Sequence, residues 1–136
     1  MIALFSVLVL LDQVAKWWVL QHASSLGLVL AQNTGIAFGL FQDQTAAIVL
    51  INVAFLAAIW LLREKLFAHS QLQTLACWFI LAGGVGNGFD RLARGYVVDF
   101  LQLGAIPTFN IADIWVNVGI ALFLFHFLIY DRPKHT

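Results

Sequence analysis

Charge is what this chain has least of. Only 10% of its 136 residues are Asp, Glu, Lys or Arg, and the formal net charge is zero. A soluble domain carries about a quarter charged residues. Zero net charge removes bulk attraction as a basis for binding nucleic acid. Cys77 is the only cysteine and lies in an apolar run. An internal disulfide is therefore excluded, a cysteine-based metal cluster is disfavoured, and Cys77 is expected to be a small buried hydrophobe. The four histidines, His22, His69, His126 and His135, do not cluster, so no metal-ligand spacing is present. No serine sits in a glycine-flanked elbow, and no glycine loop is built to cradle phosphate. Internal repeats and low-complexity segments are missing as well.

What the chain has instead is apolar surface: 62% of residues are hydrophobic and the mean hydropathy is +0.90. A chain this short cannot wrap that much apolar side chain in a polar skin, so a lipid bilayer is its expected solvent. A spanning helix takes about 20 largely apolar residues. Four segments qualify, at about 1–20, 45–62, 72–88 and 111–130. The expected fold is an all-α membrane protein, one integral domain over 1–136, with outer connections at 21–44 and 89–110. The first segment has no basic run ahead of its apolar core, and that core holds Asp12 and Lys16, so it is expected to be a retained helix rather than a cleaved signal. Arg63 and Lys65 in the second connection and Arg132 and Lys134 in the tail outnumber Arg91 and Arg94 in the third. The positive-inside rule then places both termini in the cytoplasm and the first and third connections outside. The first connection alternates around Leu28 and Leu30 and bends at glycines, and 96–103 reads as extended, which suggests a small strand-rich outer element.

Polar residues in such a background carry the information. Asp99 stands among Val97, Val98, Phe100 and Leu101, which cannot solvate a carboxylate; it is either a proton-holding acid or an acid on the wet side of a strand. Asn110 reads as the N-cap of the fourth helix, with Asp113 at its third position, where the helix dipole favours negative charge; the alternative for Asp113 is capping alone. Asn87 and Asn110 can orient carboxylates, and Asn87 can equally make a helix-to-helix hydrogen bond. Gly84 and Gly88 have the spacing of a close helix crossing, with Gly83 and Gly86 adding to that surface. Asp90 is expected in an ion pair. Arg91 either pairs with Asp90 or faces a substrate carbonyl or lipid head group, and Arg94 reads as an interfacial anchor. Asp12 and Lys16, four apart with the acid first, read as a mutually neutralising pair, Lys16 also being able to reach toward the site.

Five blocks then occur in order along the four segments: DQVAKWWV (12–19), NTGIAFGLF (33–41), GGVGNGFDRL (83–92), VVDF (97–100) and FNIAD (109–113). In this the chain resembles lipoprotein signal peptidase, the type II signal peptidase of bacterial membranes. The resemblance implies a four-helix aspartyl endopeptidase of the inner membrane, its active site toward the outer face. It implies cleavage of the signal peptide of prolipoproteins, before a cysteine that carries diacylglyceryl. It implies a catalytic dyad of Asp99 and Asp113, surrounded by Asn33, Asn87, Arg91 and Asn110, with Asp12 and Lys16 in support and Asp90 beside them. Neither cofactor nor metal is expected; the partners are the lipidated precursor and membrane lipid, and a monomer is expected. The glycines and aromatics of 33–41 suggest a lid. The competing readings are a small transporter or proton-conducting subunit, an intramembrane protease of the GxGD type with Asp90 catalytic, and a non-catalytic assembly factor.

Overall fold

A computed structural model describes residues 1–35, 44–67 and 70–130. Residues 36–41 of the expected lid, with His69, Arg132, Lys134 and His135, fall outside the described residues. Four helices carry the architecture: α1 (Ile2–Leu26), α2 (Thr45–Phe67), α3 (Gln71–Arg94) and α4 (Ile111–Tyr130). All four are long and apolar enough to cross a membrane. Between them lie four short strands: β1 (Ala31–Asn33), β2 (Val97–Asp99), β3 (Leu101–Leu103) and β4 (Ile106–Phe109).

The helices run past the ends that hydropathy alone suggests. α1 continues to Leu26, α2 to Phe67 and α3 to Arg94. The reason is that polar side chains do not stop a helix; Arg, Glu, Lys and Leu propagate one well. Chain reversal stops it, as at Gly95, whose φ of 82° lets the chain leave α3 and whose N–H donates to the Arg91 carbonyl. Asp90, Arg91 and Arg94 are therefore residues of a rigid helix and not of a loop.

α3 is the spine of the bundle, and its small residues set how close the other helices come. A side-chain carbon at Gly84 would meet Leu56 of α2, and one at Gly88 would meet Asn52. At Gly86 it would lie 2.7 Å from the Asp12 carboxylate of α1, and at Gly83 it would overlap the Ala112 carbonyl oxygen of α4. Gly119 answers from α4, pressed on Ala76 and Ile80 of α3. Close backbone approach is what holds helices together in lipid, where apolar surface gives no net drive to associate. We expect Gly83→Ala to force α3 and α4 apart and to cost about 1–3 kcal/mol, read as earlier thermal unfolding in detergent micelles. An unchanged unfolding temperature would mean that this crossing is looser than described.

At the far end from the strands, Phe67, Ala76, Cys77, Ile80 and Leu81 form the buried core, with Phe5, Trp78 and Phe123 packed against it. Cys77 is free and buried, as its apolar setting predicts. Large side chains on the outward faces, such as Leu50, Leu61, Leu92 and Phe125, are exposed, which suits hydrocarbon rather than water.

The outer element is two small antiparallel sheets. β1 pairs with β2, with Ala31 opposite Asp99 and Asn33 opposite Val97. β3 and β4 form a hairpin turned at Gly104, and the pairing slips between Leu101 and Leu103. The stretch expected as one extended run at 96–103 is thus broken at Phe100, where the chain passes from one sheet to the other.

Candidate active site

Asp99 ends β2 and Asn110 opens α4, so a hairpin brings both to the top of the bundle. The start of α4 is closed by a reciprocal cap. The Asn110 N–H donates to Asp113 Oδ2 at 3.1 Å, and the Asp113 N–H donates to Asn110 Oδ1 at 3.0 Å. This is a capping box with aspartate in the third position. The cap leaves the Asn110 amide nitrogen free to work outward. It donates to Asp99 Oδ1 at 2.6 Å and to Asn87 Oδ1 at 3.1 Å. A single buried residue therefore touches both acids, one through its side chain and the other through its backbone.

Each acid has a second donor. Asn33 on β1 donates to Asp99 Oδ2 at 2.9 Å, while its own carbonyl oxygen accepts from the Gly35 N–H. Asn87 on α3 donates to Asp113 Oδ1 at 2.8 Å. Asp99 is only 2% exposed, whereas Asp113 is half-buried. Burial pushes the Asp99 carboxyl above its ordinary pKa. Donation from Asn33 and Asn110 works against this rise, the negative charge of Asp113 adds to it, and Lys16 opposes it. The sign for stability follows. Over the window between the free and raised values, the folded chain keeps a proton that the unfolded chain has released, so the contribution of Asp99 to stability falls as pH rises.

Directly beneath lies a closed ionic cluster. Lys16 Nζ stands 2.8 Å from Asp12 Oδ2 and 3.0 Å from Asp90 Oδ2, and all three side chains are 0% exposed. Lys16 also donates to Asn87 Oδ1 at 3.1 Å, which joins the cluster to the acids above it. Asp12 Oδ1 accepts from the Ala112 N–H at 2.8 Å, tying α1 to the first turn of α4. Asp90 accepts from the Val98 N–H, so it fixes the strand that carries Asp99. Arg94 completes the charge balance by pairing with Asp90.

The structure removes one of the alternatives for Arg91 and gives Arg94 a partner. Arg91 does not pair with Asp90, since neighbouring positions on a helix point about 100° apart. Arg94, one turn on, takes that partner in an ion pair while its side chain stays partly exposed at the end of α3. Arg91 instead donates to the Gly35 carbonyl at 2.6 Å and pins the chain that follows Asn33; its buried Nε has no partner among the described residues. Gln13 was not among the expected site residues. Its amide donates to Asp12 Oδ2, Asp90 Oδ1 and the Gly86 carbonyl, and so sits between two carboxylates of like charge. The signal for it was an uncharged polar residue inside an apolar span, next to Asp12.

All nine residues singled out in the sequence meet in this one region. Asp99, Asp113, Asn33, Asn87 and Asn110 form the upper network, Arg91 borders it, and Asp12, Lys16 and Asp90 form the base.

Comparison with known proteins agrees with the geometry. Residues 4–129 match the family model described as signal peptidase (SPase) II. A lipoprotein signal peptidase of Fusobacterium nucleatum is 34% identical over 149 aligned positions, covering 99% of this chain and 90% of its own. One from Rhodopseudomonas palustris is 37% identical, covering 90% of this chain and 88% of its own. Among solved structures, a bacterial membrane enzyme determined in meso at 2.3 Å superposes with a TM-score of 0.82 at 24% identity, over 99% of this chain and 92% of the other. A second, at 1.9 Å, gives 0.77 at 26% identity, over 96% and 92%.

Proposed function

This chain belongs to the signal peptidase II family, and from that premise we propose that it is an aspartic endopeptidase that removes the signal peptide of prolipoproteins, cutting before a diacylglyceryl-modified cysteine, with Asp99 and Asp113 as the catalytic pair. The observation that carries the assignment of residues is the double grip of Asn110, whose side chain donates to Asp99 and whose N–H donates to Asp113. Two acids oriented by one asparagine, one buried and one half-buried, are what a water-activating pair needs.

One carboxylate takes a proton from water as the oxygen attacks the scissile carbonyl carbon. The other donates its proton to the carbonyl oxygen. Collapse of the tetrahedral intermediate breaks the C–N bond, and the cysteine nitrogen leaves with a proton returned from the pair. Both termini lie in the cytoplasm and the acids face the outer side, which follows from the excess of Arg63, Lys65, Arg132 and Lys134 over Arg91 and Arg94. Water then reaches the acids from outside while the acyl chains stay in lipid. The enzyme works as a monomer.

The deciding experiment is conversion of a diacylglyceryl-modified precursor by the purified chain in liposomes; no turnover would remove the reading. Asp90 serves as the internal comparison. It is 0% exposed and accepts from Gln13, Lys16, Arg94 and the Val98 N–H, which leaves no room for a reactive water. Asp90→Asn is expected to lower turnover without abolishing it. An inactive Asp90→Asn beside an active Asp99→Asn would transfer the chemistry to Asp90.

The pair should give a bell-shaped pH dependence of kcat/KM. The alkaline limb marks loss of the shared proton. Since burial raises the Asp99 carboxyl, activity persists at a pH where a free carboxylate would already be bare, and disappears above the raised value. An alkaline limb within the ordinary carboxylate range would contradict a proton held on a buried acid.

A further inference from the structure

Three amides in the site have orientations that their neighbours dictate. An ammonium carries hydrogens and no acceptor, so whichever amide atom faces it must be oxygen. Lys16 Nζ faces Asn87 at 3.1 Å, which fixes Oδ1 on that side and turns the NH2 group onto Asp113. Asn110 then has to present its own NH2 to the same oxygen, leaving its Oδ1 for the Asp113 N–H. The Asn33 amide is set separately by the Gly35 N–H. Lys16 cannot turn away, because Asp12 and Asp90 hold it on two other sides and it is wholly buried.

We propose that Lys16 is a positioning residue that acts through the Asn87 amide to hold the negative charge of the pair on Asp113 and its proton on Asp99. The inference deepens the dyad reading above and rests on it. Asp113 receives an N–H polarised by a cation and a second N–H at the first turn of α4, and being half-buried it can meet water. Asp99 receives donors from two side-chain amides and is enclosed, with buried Val97 and Val98 beside it in the chain. Asp113 is then the group that accepts the proton of water, and the Asp99 O–H is the bond that breaks toward the substrate carbonyl oxygen. Among the described residues the other charges around the pair are few. α3 brings Arg91, Asp90 and Arg94, and α1 brings Asp12 with Lys16. The charged residues of α2, Arg63, Glu64 and Lys65, stand in its last turns, at the opposite end from Thr45, which donates to Gly95. Without the ammonium, Asn87 keeps the Asn110 N–H on its oxygen, but the N–H it gives to Asp113 is no longer polarised by a cation and holds the carboxylate less well.

The test removes one charge of each sign. Asp12→Asn with Lys16→Met leaves Asp90 paired with Arg94 and still offers an oxygen to the Ala112 N–H, so long-range charge is nearly unchanged and the cation on the Asn87 amide is what is removed. Asp12→Asn alone keeps Lys16 and serves as the reference. In the double variant the acid limb of kcat/KM is expected to rise by about one pH unit or more, while the reference keeps its limb whatever its kcat. A structural role for Lys16 would lower the active fraction without moving the limb, and that result would overturn the inference. The second measurement needs neither turnover nor the double variant. The infrared band of a protonated carboxyl, recorded on otherwise wild-type protein at neutral pH, is expected to disappear in Asp99→Asn and to persist in Asp113→Asn. The opposite pattern overturns the inference even if the double variant fails to fold. Failure of the wild type to cleave a lipidated precursor removes the dyad reading instead, and the infrared pattern still reports where the proton sits.

Discussion

Asp99→Asn and Asp113→Asn are each expected to lower turnover of a diacylglyceryl-modified precursor by about 10⁴-fold, the upper end of what one acid–base group contributes. The size follows from how few substitutes the site offers. Each acid is held by two donors, and no other carboxylate in the network is open to water: Asp12 and Asp90 are sealed into the ionic cluster. An amide in place of either acid keeps the shape and removes the ability to take or give the proton. Asparagine at 99 also turns one half of its side chain into a donor facing Asn33 or Asn110, which have only donors pointed there. The measurement is single-turnover cleavage in liposomes beside thermal unfolding of the same samples. A folded Asp113→Asn that retains a tenth of wild-type turnover would refute the pair.

The second large effect is on stability. Lys16→Met should cost about 3–5 kcal/mol, because truncating one member of a buried ionic group strands its partners. Asp12 and Asp90 would remain as wholly buried carboxylates with Arg94 alone to balance them. Neutralising Asp12 in the same protein removes the surplus charge, so Asp12→Asn with Lys16→Met should recover most of the loss. Thermal unfolding of the two variants in the same detergent makes the comparison. Equal unfolding temperatures would show that the cluster is held by packing and not by charge. The pair of variants also separates charge balance, which the second substitution restores, from the proposed polarisation of the Asn87 amide, which it does not.

Much of this could be read from the letters because the background is so apolar. Asp99, Asp113, Asn87 and Asn110 stand out against valine, phenylalanine and isoleucine, and the cap formed by Asn110 with Asp113 is a local pattern four residues long. The strand-rich outer element was expected from alternation at Leu28 and Leu30, but the strand that forms there, β1, begins only at Ala31. Distances across the fold were not. Nothing near Asp90 says that its partners are Lys16, more than seventy positions earlier, and a backbone N–H on β2. Gln13 looked like a neighbour of Asp12, and only the approach of α1 to Gly86 shows what it bridges. Helix ends were misjudged for one cause: hydropathy falls where the helix leaves the apolar stretch, whereas the hydrogen-bond ladder runs on to Gly27 and Gly95.

The register of β1 on β2 has a consequence for biosynthesis. Asn33 reaches its acid only after the chain has gone out and back across the bilayer twice more, and Asp113 and Asn110 arrive with the final crossing. A partly inserted chain therefore owns one acid and half its donors. On the proposed dyad, a chain whose last helix has not yet entered would lack Asp113 and Asn110, and so would be unable to hydrolyse the peptides around it.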